Sequence, residues 1–117
     1  MAHITGIVYV KVDGELQSSL EGAKLTLGGK ERTEVVGHSL YGYTDKYVPA
    51  VVTFEIGHVG GDDIIGLQNK VDSTLEFETD TGDTYVIRNA FATKPAELSG
   101  GDGKVALEFK GAAAEKL

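Results

Sequence analysis

The chain has 117 residues, enough for one domain with one core but not for that core plus a deep, well-walled active site. Its formal charge of −7 argues against the cationic surface that nucleic-acid binding needs, and the absence of cysteine excludes disulfides and thiolate metal sites. Hydrophobic residues at 41% and charged residues at 25% place it among globular proteins, and no apolar run reaches the roughly 20 residues of a bilayer-spanning helix.

Met1 to Gly6 has neither a basic nor an apolar signal region, so no secretory leader and no membrane insertion are expected. Val8, Val10 and Val12 then share one face of a strand, with Ile7, Tyr9 and Lys11 opposite, and Asp13-Gly14 reads as a tight turn. Ala23, Leu25 and Leu27 alternate until Gly28-Gly29 breaks the strand, and Glu31 to Val36 reads as a half-exposed strand. Residues 37–48 lack a periodic pattern and are expected to be a mobile connector, one that carries Tyr41, Tyr43 and Tyr47. Ala50, Val52, Phe54 and Ile56 resume the alternation. Asp62 to Lys70 has helical spacing, with Gly61-Asp62 as the expected N-cap.

Further on, Leu75 and Phe77 alternate against Thr74, Glu76 and Glu78, and Asp80 to Asp83 forms a hairpin loop. Tyr85, Ile87 and Asn89 then oppose Val86 and Arg88. Thr93 to Asp102 is expected to be a loop ending in a flexible glycine turn. Val105, Leu107 and Phe109 form the last strand, and residues 111–117 are expected to be a loose tail or a short helix. The period of two predicts a mostly β domain over 1–117, an antiparallel sandwich or small barrel with one short helix. The 16 glycines suit its many turns.

Residues that could carry catalysis do not assemble into a known pattern. His3, His38 and His58 lie far apart without metal-ligand spacing, and Asp62-Asp63 and Asp80 with Asp83 read as a helix start and a turn rather than an oxygen-ligand loop. Gly28-Gly29-Lys30 lacks the spacing and the Ser or Thr of a phosphate loop. Glu76 and Glu78 sit about 7 Å apart on one strand face, compatible with a hydrolase pair but ordinary for a solvated sheet. No enzyme activity and no cofactor are expected. A monomeric binding module using Tyr41, Tyr43 and Tyr47 as a ligand platform remains open at this level.

The order of features resembles the tail tube proteins of Mu-like contractile-tailed phages. The stretches that carry the resemblance are Gly6 to Gly14, Glu31 to Gly37 with Gly42-Tyr43-Thr44, Thr53 to Ile56 before the helix, Leu75-Glu76-Phe77, Thr81 to Phe91 and Gly103 to Gly111. Thr81-Gly82-Asp83-Thr84-Tyr85-Val86-Ile87-Arg88-Asn89-Ala90-Phe91 is the closest stretch. Val59-Gly60-Gly61 and Thr93 to Gly103 depart from the pattern.

The resemblance implies a virion subunit, assembled in the bacterial cytoplasm, whose hexameric rings stack into a tube. That tube works with sheath, tape-measure and baseplate proteins and passes double-stranded DNA only as transient cargo. A tube subunit of a tailocin or secretion system is the alternative. The resemblance also nominates His38, Leu40, Tyr41, Tyr43, Lys46 and Tyr47 as an inter-ring contact loop. Deleting Leu40 to Asp45 is then expected to leave a folded monomer that cannot polymerise. Glu34, Glu55, Glu76 and Glu78, on polar strand faces, are the candidates for an acidic lumen that repels phosphate over about 8 Å.

Overall fold

The computed structural model describes residues 2–17, 22–61 and 63–117. In chain order the elements are β1 (Val8–Val12), β2 (Glu15–Leu16), β3 (Lys24–Thr26), β4 (Gly29–Val36), β5 (Leu40–Val48), β6 (Ala50–Gly57), α1 (Ile64–Gln68), β7 (Ser73–Thr79), β8 (Thr84–Ala92), β9 (Glu97–Leu98), β10 (Lys104–Gly111) and β11 (Glu115–Lys116).

Alternation governs the body because each strand buries one face. Val10, Val12, Leu75, Phe77 and Ile87 come from one half, and Val52, Phe54, Ile56, Val105, Leu107 and Phe109 from the other; they meet in a single core. Phe54 and Phe109 stack with ring centroids 6.0 Å apart at 10°. The strands are antiparallel in the order β2-β1-β7-β8-β10-β6-β3, a path that does not close into a barrel. β8 belongs to both halves: its first part pairs β7 and β11, and Phe91 and Ala92 pair β10.

The turn from one half to the other is built at Arg88-Asn89. There the β7–β8 register slips, so that Ser73 faces Ala90 while Leu75 faces Ile87. Asn89 takes φ 54°, a left-handed conformation that asparagine tolerates better than most residues. The simple alternation expected across Tyr85, Ile87 and Asn89 therefore fails. Val86 and Ile87 are both buried, and after the bulge Ala90 rather than Asn89 points into the core.

Four other expectations are corrected. The connector expected at 37–48 is a turn followed by a nine-residue strand, β5, paired with β4 from Gly29↔Val48 to Val36↔Leu40. The helix is shorter than 62–70, and its N-cap is Asp63, whose carboxylate accepts from the Gly66 N–H at 2.9 Å; Asp62 lies outside the described residues. The end of the chain is neither loose nor helical: Glu115 and Lys116 pair with Val86 and Tyr85. β9 likewise occupies part of the stretch expected as loop and pairs with β10.

Candidate assembly surface

β4 and β5 form a two-stranded sheet of their own, separate from the body. This arm is the distal half of one long hairpin. The register that joins β3 to β6 (Thr26↔Val51) continues unchanged into β4 and β5 (Gly29↔Val48). The ladder breaks around Gly28 and Pro49, and near the tip its register slips once between Val35 and Val36. Proline has no N–H to give the ladder, and Gly28 and Gly29 take φ +77° and +114°, which side chains resist. The radius of gyration is 17.1 Å, against about 13 Å for a compact domain of this length, because the arm leaves the core.

Nearly every arm residue is exposed on both faces. Tyr43, Asp45 and Tyr47 share one face with Lys30, Arg32 and Glu34, by the alternation of paired strands, and Tyr41 is the extra residue where the register slips between Val35 and Val36. Arg32 lies 5.5 Å from the Tyr43 ring centroid and 3.4 Å from Asp45, which Lys30 approaches at 3.9 Å. At the tip Tyr41 meets His38 edge to face, its hydroxyl 3.2 Å from Nδ1. Val36, Leu40, Tyr41 and Tyr43 are each more than 60% exposed, so the arm presents a continuous apolar and aromatic tip. The arm holds three cations (Lys30, Arg32, Lys46) and three anions (Glu31, Glu34, Asp45). Taking three of each from the 11 and 18 in the chain leaves the whole excess of −7 on the rest of the molecule.

The structure gathers His38, Leu40, Tyr41, Tyr43 and Lys46 on this arm, but Tyr47 does something else. Its hydroxyl accepts a hydrogen bond from the Ala113 N–H at 3.0 Å, at the arm's root. Sequence reading missed Val35, Val36 and Arg32 as neighbours of these residues. The odd-numbered spacing of Tyr41, Tyr43 and Tyr47 was the signal for a strand.

The four acidic candidates do not share a surface. Glu34 is on the arm opposite Tyr43. Glu76 and Glu78 lie on the outward face of the β1-β7-β8 half, Glu76 opposite Lys11 and Glu78 opposite Tyr9, and Lys11 Nζ reaches Glu78 Oε1 on the diagonal at 2.9 Å. The hydrogen bond and charge of Glu78, with Glu76 adding, raise the Lys11 ammonium above its usual pKa. Glu55 is on the outward face of the other half, in one rung with Ala106 and Glu97. That second face sets Glu55, Glu97 and Glu108 against Lys24, Lys104, Lys110 and Lys94, which reaches Glu108 at 3.5 Å. The first sets Glu76, Glu78 and Glu115 against Lys11 and, from the bulge, Arg88, which reaches Glu115 at 3.4 Å.

Among the described residues no three His, Cys, Asp or Glu side chains come together as a metal site would need. The chain matches the phage tail tube protein family over residues 1–116. It belongs to that family. It is 35% identical over 104 residues to the Mu-like prophage FluMu tail tube protein of Haemophilus influenzae, an alignment covering 89% of this chain and 87% of that one. It is also 35% identical over 108 residues to the tail tube protein of Escherichia phage Mu, covering 90% and 89%. The fold is shared with the tube-terminating cap of the anti-feeding prophage at TM-score 0.73 and 12% identity, over 100% of this chain and 91% of that one. A chain of the sheath–tube complex of the PVC extracellular contractile injection system aligns at TM-score 0.69 and 13% identity, over 96% and 88%. This phage tail tube subunit is a structural component of the tail.

Proposed function

We propose that copies of this tube subunit close into hexameric rings and that the arm of one subunit packs against a neighbouring ring, stacking the rings into a hollow tube that conducts DNA. The observation that carries the reading is the arm itself. A two-stranded ribbon is marginal in water without a third layer. An arm with an aromatic, apolar tip and no net charge is a surface that another copy can cover without the like-charge repulsion an acidic body would meet. A heterologous contact that closes makes a ring, and a second one that does not close makes a filament.

Within the tube the lumen wall is the outward face of the β1-β7-β8 half, with Glu76 and Glu78 as its carboxylates. Acids outnumber bases on that face, and bases outnumber acids on the other. Glu34 and Glu55 are not on this wall. An outer sheath is the expected partner, as in the sheath–tube complex of the injection-system relative. Tape-measure and baseplate proteins are the others, with assembly in the host cytoplasm.

Negative-stain electron microscopy of the concentrated protein, with light scattering, tests the reading. Hollow tubes with sixfold end views support it. Tubes of another rotational order overturn the hexamer, and tubes that form unchanged when Tyr41 and Tyr43 are both replaced by serine overturn the role of the arm.

A further inference from the structure

We propose that the end of the chain, Ala112 to Leu117, is a brace that sets the angle between arm and body, with Tyr47 as its positioning residue. The sheet itself does not hold the arm. β10 runs beside β6 only as far as Gly111↔Ala50, where the hairpin breaks. Beyond that point, among the described residues, β4 and β5 have only each other as strand partners. The break is soft, since Pro49 donates nothing and Gly28 and Gly29 supply the bend.

Two consecutive backbone donors from the chain end grip this break, one on each strand of the hairpin. The Ala113 N–H donates to the Tyr47 hydroxyl at 3.0 Å, and the Ala114 N–H donates to the Leu27 carbonyl at 2.8 Å. The other side of the brace is fixed to β8. The Ala112 N–H donates to the Arg88 carbonyl at 2.9 Å and the Leu117 N–H to the Thr84 carbonyl at 2.9 Å, while Glu115 and Lys116 form β11 against Val86 and Tyr85. Arg88–Glu115 at 3.4 Å and Lys116–Asp83 at 3.5 Å add exposed ion pairs.

The crossing from β10 to β8 is made at Gly111, where a Cβ would lie 2.7 Å from Ile87 Cγ2 and 2.9 Å from the Arg88 carbonyl oxygen. The brace thus ties the arm's root to the strand shared by both halves of the body. Because β11 has only two residues, the brace is also the part of this linkage easiest to peel away. Tyr47 acts within its own chain, and its effect on assembly comes through the arm's orientation.

The test is amide hydrogen exchange on the dilute, unassembled protein, comparing the wild type with Tyr47→Phe and Ala114→Pro. The first removes only the hydroxyl acceptor; the second removes the donor to Leu27, and its ring also fixes the backbone φ there and restricts Ala113. Amides of β4 and β5 are expected to exchange about fivefold faster in each variant, the loss of one ordinary hydrogen bond, while those of β7 and β10 stay unchanged. Arm exchange equal to the wild type in both variants overturns the brace. The consequence for tube formation rests on the arm being the inter-ring contact, and exchange is read without it. Faster arm exchange with slowed polymerisation supports both readings. Faster arm exchange with unchanged polymerisation supports the brace and overturns the contact role of the arm.

Discussion

Gly28 lies against Pro49 at the root of the arm, so close that a Cβ on Gly28 would stand 2.9 Å from the Pro49 carbonyl carbon and 2.7 Å from the Ala50 nitrogen. Both neighbours are backbone and cannot swing aside, and Gly28 is left-handed at φ +77°. Gly28→Ala is therefore expected to destabilise the protein by about 1–3 kcal/mol. Gly29→Ala, at φ +114° but facing open space, should cost less. Thermal unfolding of the two variants side by side checks the order. Equal melting temperatures would show that the approach to Pro49 is not what demands glycine.

The core predicts a different outcome from the arm. Phe109 is fully buried and stacked on Phe54. Phe109→Ala should cost about 3–5 kcal/mol through lost burial and the cavity left behind. Tyr43→Ala, on an exposed residue outside the core, should leave the unfolding of the body within about 0.5 kcal/mol of the wild type. Denaturant unfolding read by far-UV circular dichroism separates the two.

Asp13 closes the turn between β1 and β2. Its carboxylate accepts from the Thr74 N–H at 3.0 Å and from Lys70 Nζ at 3.3 Å. The Thr74 hydrogen bond, with Ser73 and Lys70 adding, holds its pKa below the usual carboxylate value against a smaller opposing effect of burial. A folded pKa below the unfolded one means that the stabilisation is complete above roughly pH 5 and is lost as pH falls through the depressed value. Asp13→Asn should therefore be less stable than the wild type at pH 7, with the gap narrowing below about pH 4. A gap independent of pH would assign the effect to turn geometry alone.

What the sequence made legible follows from burial. β1, β6, β7 and β10 could be read because one face of each is buried, so Val10, Val52, Phe54, Leu75 and Phe109 had to alternate with polar partners. β5 could not be read that way. Both of its faces are exposed, so Tyr41, Tyr43 and Tyr47 alternate with glycine, threonine and lysine rather than with a core-facing set. The end of the chain was hidden for a similar reason, since Ala112-Ala113-Ala114 carries no pattern and its backbone N–H groups donate to distant partners. The bulge at Asn89 escaped because a register slip depends on the strand opposite. The arm's aromatic residues stood out in composition, but Tyr47's partner at Ala113 lies 66 residues away in the chain.

Asn89 gives the last prediction. At φ 54° it holds the bulge where β8 passes from one half of the sandwich to the other. Glycine reaches this conformation freely, whereas a β-branched side chain meets the following carbonyl. Asn89→Gly should be nearly neutral, its looser unfolded chain offset by easier φ, while Asn89→Val should cost about 1–2 kcal/mol. The damage should also reach beyond stability. If the bulge straightens, Ala90 leaves the core and the β10 pairing of Phe91 and Ala92 shifts. Exchange protection of β10 reports on that pairing directly. Slower folding with β10 still protected would mean that the bulge is set by the core packing of Ile87 and Ala90 rather than by the conformation of Asn89.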